Sequence, residues 1–301
     1  MSYAKNGKKI NFDAPSNLND LSNILSNNPT DNVVAAGTDL NLEITQLMRE
    51  FSHIVSVNRV TELKEIKDGV NEIEIGAAVS YEVAKTSLTH YWPALDSFLQ
   101  RFASLPIKNW ATIGGNIANA SPIGDMAPVL IALESKLKLR KGKVSRVILL
   151  EDFFISYKKT LLDDGEFLES ILIPKPSNND QLITHKISKR YEDDISAVCM
   201  AINVKMKQSS PESLKIALGG MSGIPQRAKE LEKVFFDHWK SDEIMSMAYD
   251  ALKNEFSPFS DVRASSEYRL RVSAGLAKMS SLLLRGFPVE DLAHYSEPKI
   301  S

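Results

Sequence analysis

The sequence is poor in the residues that hold metals. Its 301 residues include one cysteine and five histidines. An iron–sulfur cluster needs about four ligands, normally cysteine thiolates, so the chain cannot house one by itself. The histidines are scattered without an H-x-x-x-H pair, and no metal site is expected. Cys199 stands in an apolar run and is expected to be a small buried residue of a strand.

Long apolar runs and an excess of one charge are also absent. No run approaches the roughly 20 residues that a membrane span needs. The N-terminus lacks the apolar stretch of a signal peptide, so a cytoplasmic protein is expected. Lys and Arg number 36 against 38 Asp and Glu, which gives a net charge of −2. This balance argues against nucleic acid or a membrane surface as a partner.

The sequence is rich in small and polar residues over 112–125, which reads T-I-G-G-N-I-A-N-A-S-P-I-G-D. The adjacent Gly114 and Gly115 let the backbone turn and expose N–H groups to a ligand. Asp125 is a good cap for a helix predicted over 126–137. A polar loop that leads into a helix N-terminus favours an anion site. The pattern is neither G-x-G-x-x-G nor G-x-x-x-x-G-K-[ST], so neither a Rossmann turn nor a P-loop is indicated.

A second loop of the same character lies about 75 residues earlier, where 33–40 reads V-V-A-A-G-T-D-L. An apolar strand there runs into small residues, a hydroxyl and a carboxylate. One such turn alone is usually only a turn. Two of them predict one elongated ligand whose phosphates are held from two sides.

The two loops resemble those of the FAD-binding module of the molybdenum hydroxylases, the xanthine dehydrogenase and carbon monoxide dehydrogenase flavoprotein family. In that family a V-A-G-G-T-D-L loop and a T-x-G-G-N-I-x-x-A/G-S-P-x-x-D loop bind the FAD pyrophosphate and ribityl chain. Segments 186–198, 217–227 and 261–269 are similar to the C-terminal part of bacterial xanthine dehydrogenase small chains. The resemblance covers nearly the whole chain in order, and its later segments favour the xanthine dehydrogenase branch.

The resemblance implies an α+β fold. A two-subdomain FAD-binding module of the PCMH, or vanillyl-alcohol-oxidase-like, type would precede a C-terminal domain with a three-stranded antiparallel sheet and a helical bundle. The Pro-rich segment 174–180 is the best linker. We therefore expect a module over 1–177, divided into 1–60 and 61–177, and a C-terminal domain over 181–290. Its strands are predicted at 183–188, 196–207 and 213–218, and its helices at 225–238, 241–254 and 264–285, the last stopped by Gly286 and Pro288.

The resemblance also implies which residues bind FAD. The first loop would line the pyrophosphate, and the second would contribute from the other side, with Asp125 near the ribityl chain and the flavin. Phe102 and Leu168 match family positions near the flavin ring, although each is equally typical of a core residue. The predicted FAD-binding residues are Ala35, Ala36, Gly37, Thr38, Asp39, Phe102, Thr112, Gly115, Asn116, Asn119, Asp125, Leu168 and Lys186.

A compact mixed-charge cluster at 186–194 has two interpretations. It is either a solvated strand end with local ion pairs, or a site for a nicotinamide dinucleotide beside the flavin. In the second interpretation Lys186 meets a phosphate of the dinucleotide, and Asp193 sets the electrostatic potential near the flavin. The residues alone leave both open.

By resemblance the chain is the FAD-carrying electron-transfer component of a molybdenum hydroxylase. It would take electrons from a [2Fe–2S] subunit or domain, pair with a molybdopterin-binding subunit, and pass electrons to NAD⁺. Many similar chains carry iron–sulfur domains ahead of the flavin part, so a stand-alone subunit and a piece of a longer chain both stay open. Two alternatives are a flavin-free scaffold subunit and a stand-alone FAD-dependent oxidase.

Overall fold

The structure, a computed structural model, describes residues 2–5, 8–30, 32–208 and 210–287. Its first part is a four-stranded sheet in the order β1-β2-β4-β3 with two helices. Strands β2 and β3 each run parallel to β4, while β1 is antiparallel to β2. The elements are β1 (Ser2–Lys5), β2 (Lys8–Asp13), α1 (Leu18–Asn27), β3 (Asn32–Val34), α2 (Leu40–Leu47) and β4 (His53–Ser56).

The two helices of this part are held differently. The side chain of Asn17 caps α1 by accepting a hydrogen bond from the backbone N–H of Asp20 at 2.9 Å. Helix α1 then buries Leu21 and Leu25 completely or nearly so. Helix α2 buries none of its eight residues. The first part is therefore anchored through α1, whereas α2 lies on its surface.

The second part is a five-stranded antiparallel sheet in the order β5-β6-β11-β7-β8. Five helices and a small hairpin, β9–β10, accompany it. The elements are β5 (Ile66–Asp68), β6 (Glu72–Gly76), α3 (Tyr81–Tyr91), α4 (Leu95–Arg101), α5 (Leu105–Trp110), α6 (Ile113–Ala118), α7 (Met126–Ala132), β7 (Lys136–Lys141), β8 (Val144–Leu149), β9 (Phe154–Ser156), β10 (Lys159–Thr160) and β11 (Phe167–Pro174).

Helix α7 forms the centre of the core of this part, because all seven of its residues are buried. The helix was expected to continue to residue 137, but it ends at Ala132. Strand β7 begins at Lys136 because lysine and leucine alternate there, and a strand buries Leu137 and Leu139 on one face. This alternation of polar and apolar residues is the reason that residues 136–137 belong to a strand and not to the predicted helix.

The third part is a four-stranded antiparallel sheet in the order β12-β13-β14-β15, packed against three helices. Its elements are β12 (Asp180–Ile187), β13 (Val198–Lys207), β14 (Ser210–Gly219), β15 (Gln226–Arg227), α8 (Lys229–His238), α9 (Ile244–Glu255) and α10 (Ser266–Leu284). Cys199 is fully buried on β13, as expected.

The predicted strand count and the start of the first helix of this part need correction, and the end of the predicted domain falls outside the described residues. The predicted three strands are joined by a fourth, because Gln226 and Arg227 pair with Leu218 and Ala217 instead of starting a helix. Helix α8 consequently begins only at Lys229. Pro288 and the end of the predicted domain, 288–290, lie outside the described residues. The α+β class itself is confirmed, and the domain bounds stay a prediction.

In the part of the chain that the structure describes, no helix has both the length and the apolar character needed to cross a membrane.

The third part contacts the second through a glycine turn after β14. The backbone N–H of Gly220 donates to the carbonyl of Pro122 at 2.8 Å. Gly220 has φ +82°, and a Cβ there would lie 2.2 Å from the carbonyl oxygen of Ala197. The buried Arg269 side chain donates to the carbonyls of Ala197 and Gly220. This turn therefore requires glycine both for its φ and for space.

Replacing Gly220 with alanine is expected to lower the free energy of unfolding by roughly 3 kcal/mol, since a left-handed φ and a backbone clash add. Gly142→Ala is the matched control: Gly142 has φ +59° but no atom within 4 Å of an added Cβ. The control should cost only about 1 kcal/mol. Urea denaturation measures both, and equal losses would contradict the close contact at Ala197.

Candidate functional site

The two glycine loops face each other across one cleft of about 590 Å³. This is within the usual size of a small-molecule or cofactor site. The cleft is lined by every predicted FAD-binding residue except Asp125 and Lys186. Two loops about 75 residues apart therefore contribute to a single site. The lining residues among those predicted are Ala35, Ala36, Gly37, Thr38, Asp39, Phe102, Thr112, Gly115, Asn116, Asn119 and Leu168.

The first loop connects β3 to α2 and presents backbone donors. Gly37 has φ +72°, which glycine adopts without strain. The backbone N–H of Asn41 donates to the carbonyl of Gly37 at 3.0 Å and starts the helix. Among the hydrogen bonds of the described residues, none is donated by the backbone N–H of Gly37, Thr38 or Asp39. Successive donors of this kind form a concave site for an anion.

The second loop differs from expectation because its two glycines lie in a short helix, α6. The hydroxyl of Thr112 caps α6 by accepting a hydrogen bond from the backbone N–H of Gly115 at 3.0 Å. A Cβ on Gly114 would lie 2.5 Å from the Cβ of Ala77, so Gly114 allows α6 to pack closely there. Gly115 instead is exposed to the cleft. Gly114 is buried but also lines the cleft, so both glycines border the site.

Two aromatic rings form the inner wall of the cleft. Phe102 follows the last residue of α4, and its ring centroid lies 4.4 Å from that of Tyr81. The residues alone gave no reason to select Tyr81, which stands at the start of α3 and is 1% exposed. Burial raises the pKa of the Tyr81 hydroxyl well above its usual value, and the nearby charge of Asp125 raises it further. Tyr81 is therefore a neutral phenol beside the site.

Asp125 and Lys186 form a buried ion pair instead of lining the cleft. The ammonium of Lys186 donates to Asp125 Oδ2 at 2.6 Å and to Ser196 Oγ at 2.9 Å. The hydroxyl of Ser196 donates to Asp125 Oδ1 at 2.6 Å. The side chains of Lys186 and Asp125 are only 2% and 7% exposed. This triad joins the start of α7 in the second part to β12 and to the end of the loop between β12 and β13 in the third.

The triad corrects two expectations. Asp125 occupies the cap position of α7 but makes no side-chain cap hydrogen bond, because Lys186 and Ser196 engage its two oxygens. The ammonium of Lys186 is buried and paired, so it is not presented to a dinucleotide phosphate in this structure. Contact of either residue with FAD stays a prediction.

The loop between β12 and β13 carries the rest of the mixed-charge cluster. Arg190 pairs with Asp194 at 3.1 Å, and this pair holds the pKa of the Asp194 carboxyl far below its usual value. The guanidinium of Arg101 lies 4.7 Å from the ring centroid of Tyr191 and donates to the carbonyl of Lys186 at 2.7 Å. Ile195 lines the cleft. Arg101 therefore fastens the start of the loop, and Ile195 near its other end reaches the cleft.

The residues of the cleft fit FAD in chemical terms. Backbone donors of the first loop suit a pyrophosphate, and the aromatic rings suit a flat ring system. The hydroxyl of Tyr81 and Oδ1 of Asn116 are buried without a hydrogen-bond partner. Both residues line the cleft through other atoms.

The triad generates a stability prediction. Lys186→Met is expected to lower the free energy of unfolding by about 3–5 kcal/mol, because Asp125 is left buried and unpaired. The double variant Lys186→Met/Asp125→Asn should recover part of the loss. Lys205→Met is the control, since its pair with Glu212 is about four-tenths exposed on both sides and should contribute about 1 kcal/mol or less. Chemical denaturation measures these losses. An equal loss of unfolding free energy in Lys205→Met and Lys186→Met would contradict the buried pair.

Comparisons with known proteins agree with the resemblance that the two loops indicate. Residues 8–176 match the family model described as FAD binding domain in molybdopterin dehydrogenase, and residues 183–282 match that of the CO dehydrogenase flavoprotein C-terminal domain. The xanthine dehydrogenase FAD-binding subunit of Escherichia coli O157:H7 is 26% identical over 87% of this chain and 91% of its own length. The glyceraldehyde dehydrogenase medium chain of Sulfolobus acidocaldarius is 29% identical over 73% of this chain and 78% of its own length.

Longer relatives and solved structures extend the comparison. The xanthine dehydrogenase of Calliphora vicina is 30% identical over 72% of this chain, which spans only 17% of that protein. A carbon monoxide dehydrogenase of Hydrogenophaga pseudoflava has a chain with the same fold, with a TM-score of 0.83 and 20% identity. The match covers 90% of this chain and 95% of that one. The expected FAD-binding module followed by a flavoprotein C-terminal domain is therefore confirmed. The chain belongs to the family of FAD-binding flavoproteins of the molybdenum hydroxylases.

Proposed function

We propose that this chain is the FAD-carrying electron-transfer component of a xanthine dehydrogenase-like enzyme. The single observation that carries the proposal is the convergence of both loops on one cleft. When bound, FAD would supply the chemistry that couples single-electron transfer from an iron–sulfur centre to two-electron transfer to NAD⁺. The described residues hold, orient and partly enclose the cofactor. The hydroxylated substrate belongs to a molybdopterin-binding partner.

An exposed apolar helix supports partner binding. Helix α2 lines the cleft through Leu40 and Glu43, yet Leu47 is 71% and Met48 77% exposed. Exposed apolar side chains grouped on one element are typical of an interaction surface. With one cysteine, the chain needs a [2Fe–2S] subunit or domain as electron donor. We propose that this partner docks beside α2.

NAD⁺ as the acceptor is supported by the loop between β12 and β13, although not through Lys186. Arg190 stands on that loop with its side chain 78% exposed, and Ile195 of the same loop lines the cleft. If the guanidinium of Arg190 released Asp194 and bound a phosphate of the dinucleotide, its charge would stay paired. The exposed Asp193 remains the residue proposed to set the potential near the flavin. The cytoplasmic location expected from the sequence stays a prediction.

The first test of this function is cofactor retention. Gly115→Val should weaken FAD binding by roughly 10- to 100-fold, because its Cβ would lie 2.9 Å from Thr112 Oγ1, and the Thr112 side chain must then shift from its place at the cleft. Gly223→Val is the control, as Gly223 lies outside the cleft with open space around it. The visible spectrum and bound FAD per chain measure the effect, with circular dichroism to verify folding. Full flavin occupancy in the Gly115 variant would refute the loop assignment.

The second test concerns the acceptor. Arg190→Ala should raise the dissociation constant for reduced NAD about three- to tenfold while FAD content is unchanged, since it removes a charge-assisted hydrogen bond. Lys207→Ala removes another exposed cation, which pairs with Glu212, and should change nothing. Stopped-flow reduction of the flavin by reduced NAD separates affinity from rate. Identical constants in all three proteins would mean that the loop does not bind the dinucleotide.

Two outcomes would favour the alternative functions. A purified chain that remains colourless after incubation with FAD would indicate a scaffold subunit. Bleaching of the flavin by a small oxidisable substrate in the absence of any partner would indicate a stand-alone oxidase. Reduction by reduced NAD alone, without such a substrate, would support the electron-transfer component.

A further inference from the structure

Strand β8 forms an open edge of the five-stranded sheet of the second part. In the described part of the chain, β7 is the only strand that pairs with it. Five of its six residues are exposed, and three of them are apolar. Val144 is 73%, Val147 52% and Leu149 39% exposed. An exposed edge strand with apolar side chains can pair with a strand of another chain.

The register with β7 identifies the backbone groups of β8 that point outward. Val144 follows a two-residue turn, so it forms the hydrogen-bonded pair that closes the hairpin with β7. The same parity continues beyond the strand, where the backbone N–H of Leu150 donates to the carbonyl of Ser135 at 2.9 Å. The even-numbered residues therefore bond to β7. The residues whose N–H and C=O groups point away from the sheet are Ser145, Val147 and Leu149.

The charges next to β8 are of opposite sign at its two ends. Lys141 and Lys143 stand before the strand, and Glu151 and Asp152 follow it. Glu151 pairs with Arg227 at 3.2 Å, whereas Asp152 is exposed. If two copies of β8 lay side by side and antiparallel, the basic end of each would meet the acidic end of the other. A parallel arrangement would instead bring like charges together.

One antiparallel register uses all the outward-pointing groups. A twofold axis through Val147 pairs this residue with its own copy and pairs Ser145 with Leu149 in both directions. Any other axis leaves at least one of the three residues without a partner. The axis through Val147 also places Lys143 opposite residue 151 and next to Asp152. The guanidinium of Arg146 near the axis is already neutralised by Glu166 at 2.7 Å.

We propose that two copies of this chain associate through β8, antiparallel and with the twofold axis at Val147. The two five-stranded sheets then form one sheet of ten strands, and the interface is closed because each copy uses the same surface. One strand per copy is a small interface, so the dimer is expected to dissociate on dilution. The inference goes beyond the proposed function, because it does not require FAD in the cleft.

The first test measures association of the full chain by sedimentation velocity. The parent should change from monomer to dimer over about 1–100 µM. Val147→Lys should raise the dissociation constant of the dimer at least about tenfold, because two like charges would be opposite each other at the axis. Val70→Lys is the matched control. Val70 is 92% exposed and lies between β5 and β6, at the other side of the sheet, so this change should leave the dissociation constant unaltered.

The second test examines the register by oxidative cross-linking. Two copies of Val147→Cys would have their Cα atoms about 5.5 Å apart, which a disulfide can span. Two copies of Leu149→Cys would lie roughly 14 Å apart, beyond that span. The native Cys199 is buried. Non-reducing electrophoresis should therefore show a covalent dimer for Val147→Cys alone.

Three results would overturn the inference. The first is equal cross-linking of Val147→Cys and Leu149→Cys, and the second is an unchanged dissociation constant in Val147→Lys. The third is a parent chain that stays monomeric over the whole range of concentration, which would leave the edge of β8 to a strand of another protein. Circular dichroism of each variant verifies that the chain is folded.

Discussion

The ion pair between Asp125 and Lys186 is the contact on which the shape of the site depends. Each charge is buried, and neither would be tolerated there without the other. Asp125 ends the segment that carries Asn116 and Asn119, and Lys186 precedes the loop that brings Ile195 to the cleft. Ser196 ties the far end of that loop to the same carboxylate. One buried pair therefore fixes the second glycine loop relative to the third part.

The walls of the cleft act by different chemistry. The first loop offers backbone N–H groups that suit any anion, so it contributes affinity for a pyrophosphate with little discrimination. The opposite wall contains the rings of Tyr81 and Phe102, which pack on each other. The sheets of the second and third parts hold it in place.

Sequence reasoning located the cleft but not its interior. The loops at 33–40 and 112–125 are predictable because small residues, hydroxyls and carboxylates at fixed spacing are needed locally for backbone donors to face a ligand. The burial of Lys186 depends on Asp125 and Ser196, which lie 61 and 10 residues away, and no local pattern reveals that contact. Tyr81 was missed because an aromatic residue at a helix start is typical of a core. The sequence does contain a sign of helix α6, because Thr112 stands three residues before Gly115 and threonine is a good N-cap. The two adjacent glycines, however, disfavour a helix.

Helix α2 has one consequence for assembly. It buries none of its own side chains in the chain, lines the cleft from one side and exposes apolar residues on the other. A ligand that contacts α2 from inside the cleft would therefore also stabilise its outer surface. If the partner docks beside α2 as proposed, cofactor loading and docking would be linked equilibria, in which each event tightens the other by the same factor. In a cell short of flavin, such a linkage would leave the subunit unassembled instead of incorporating it empty.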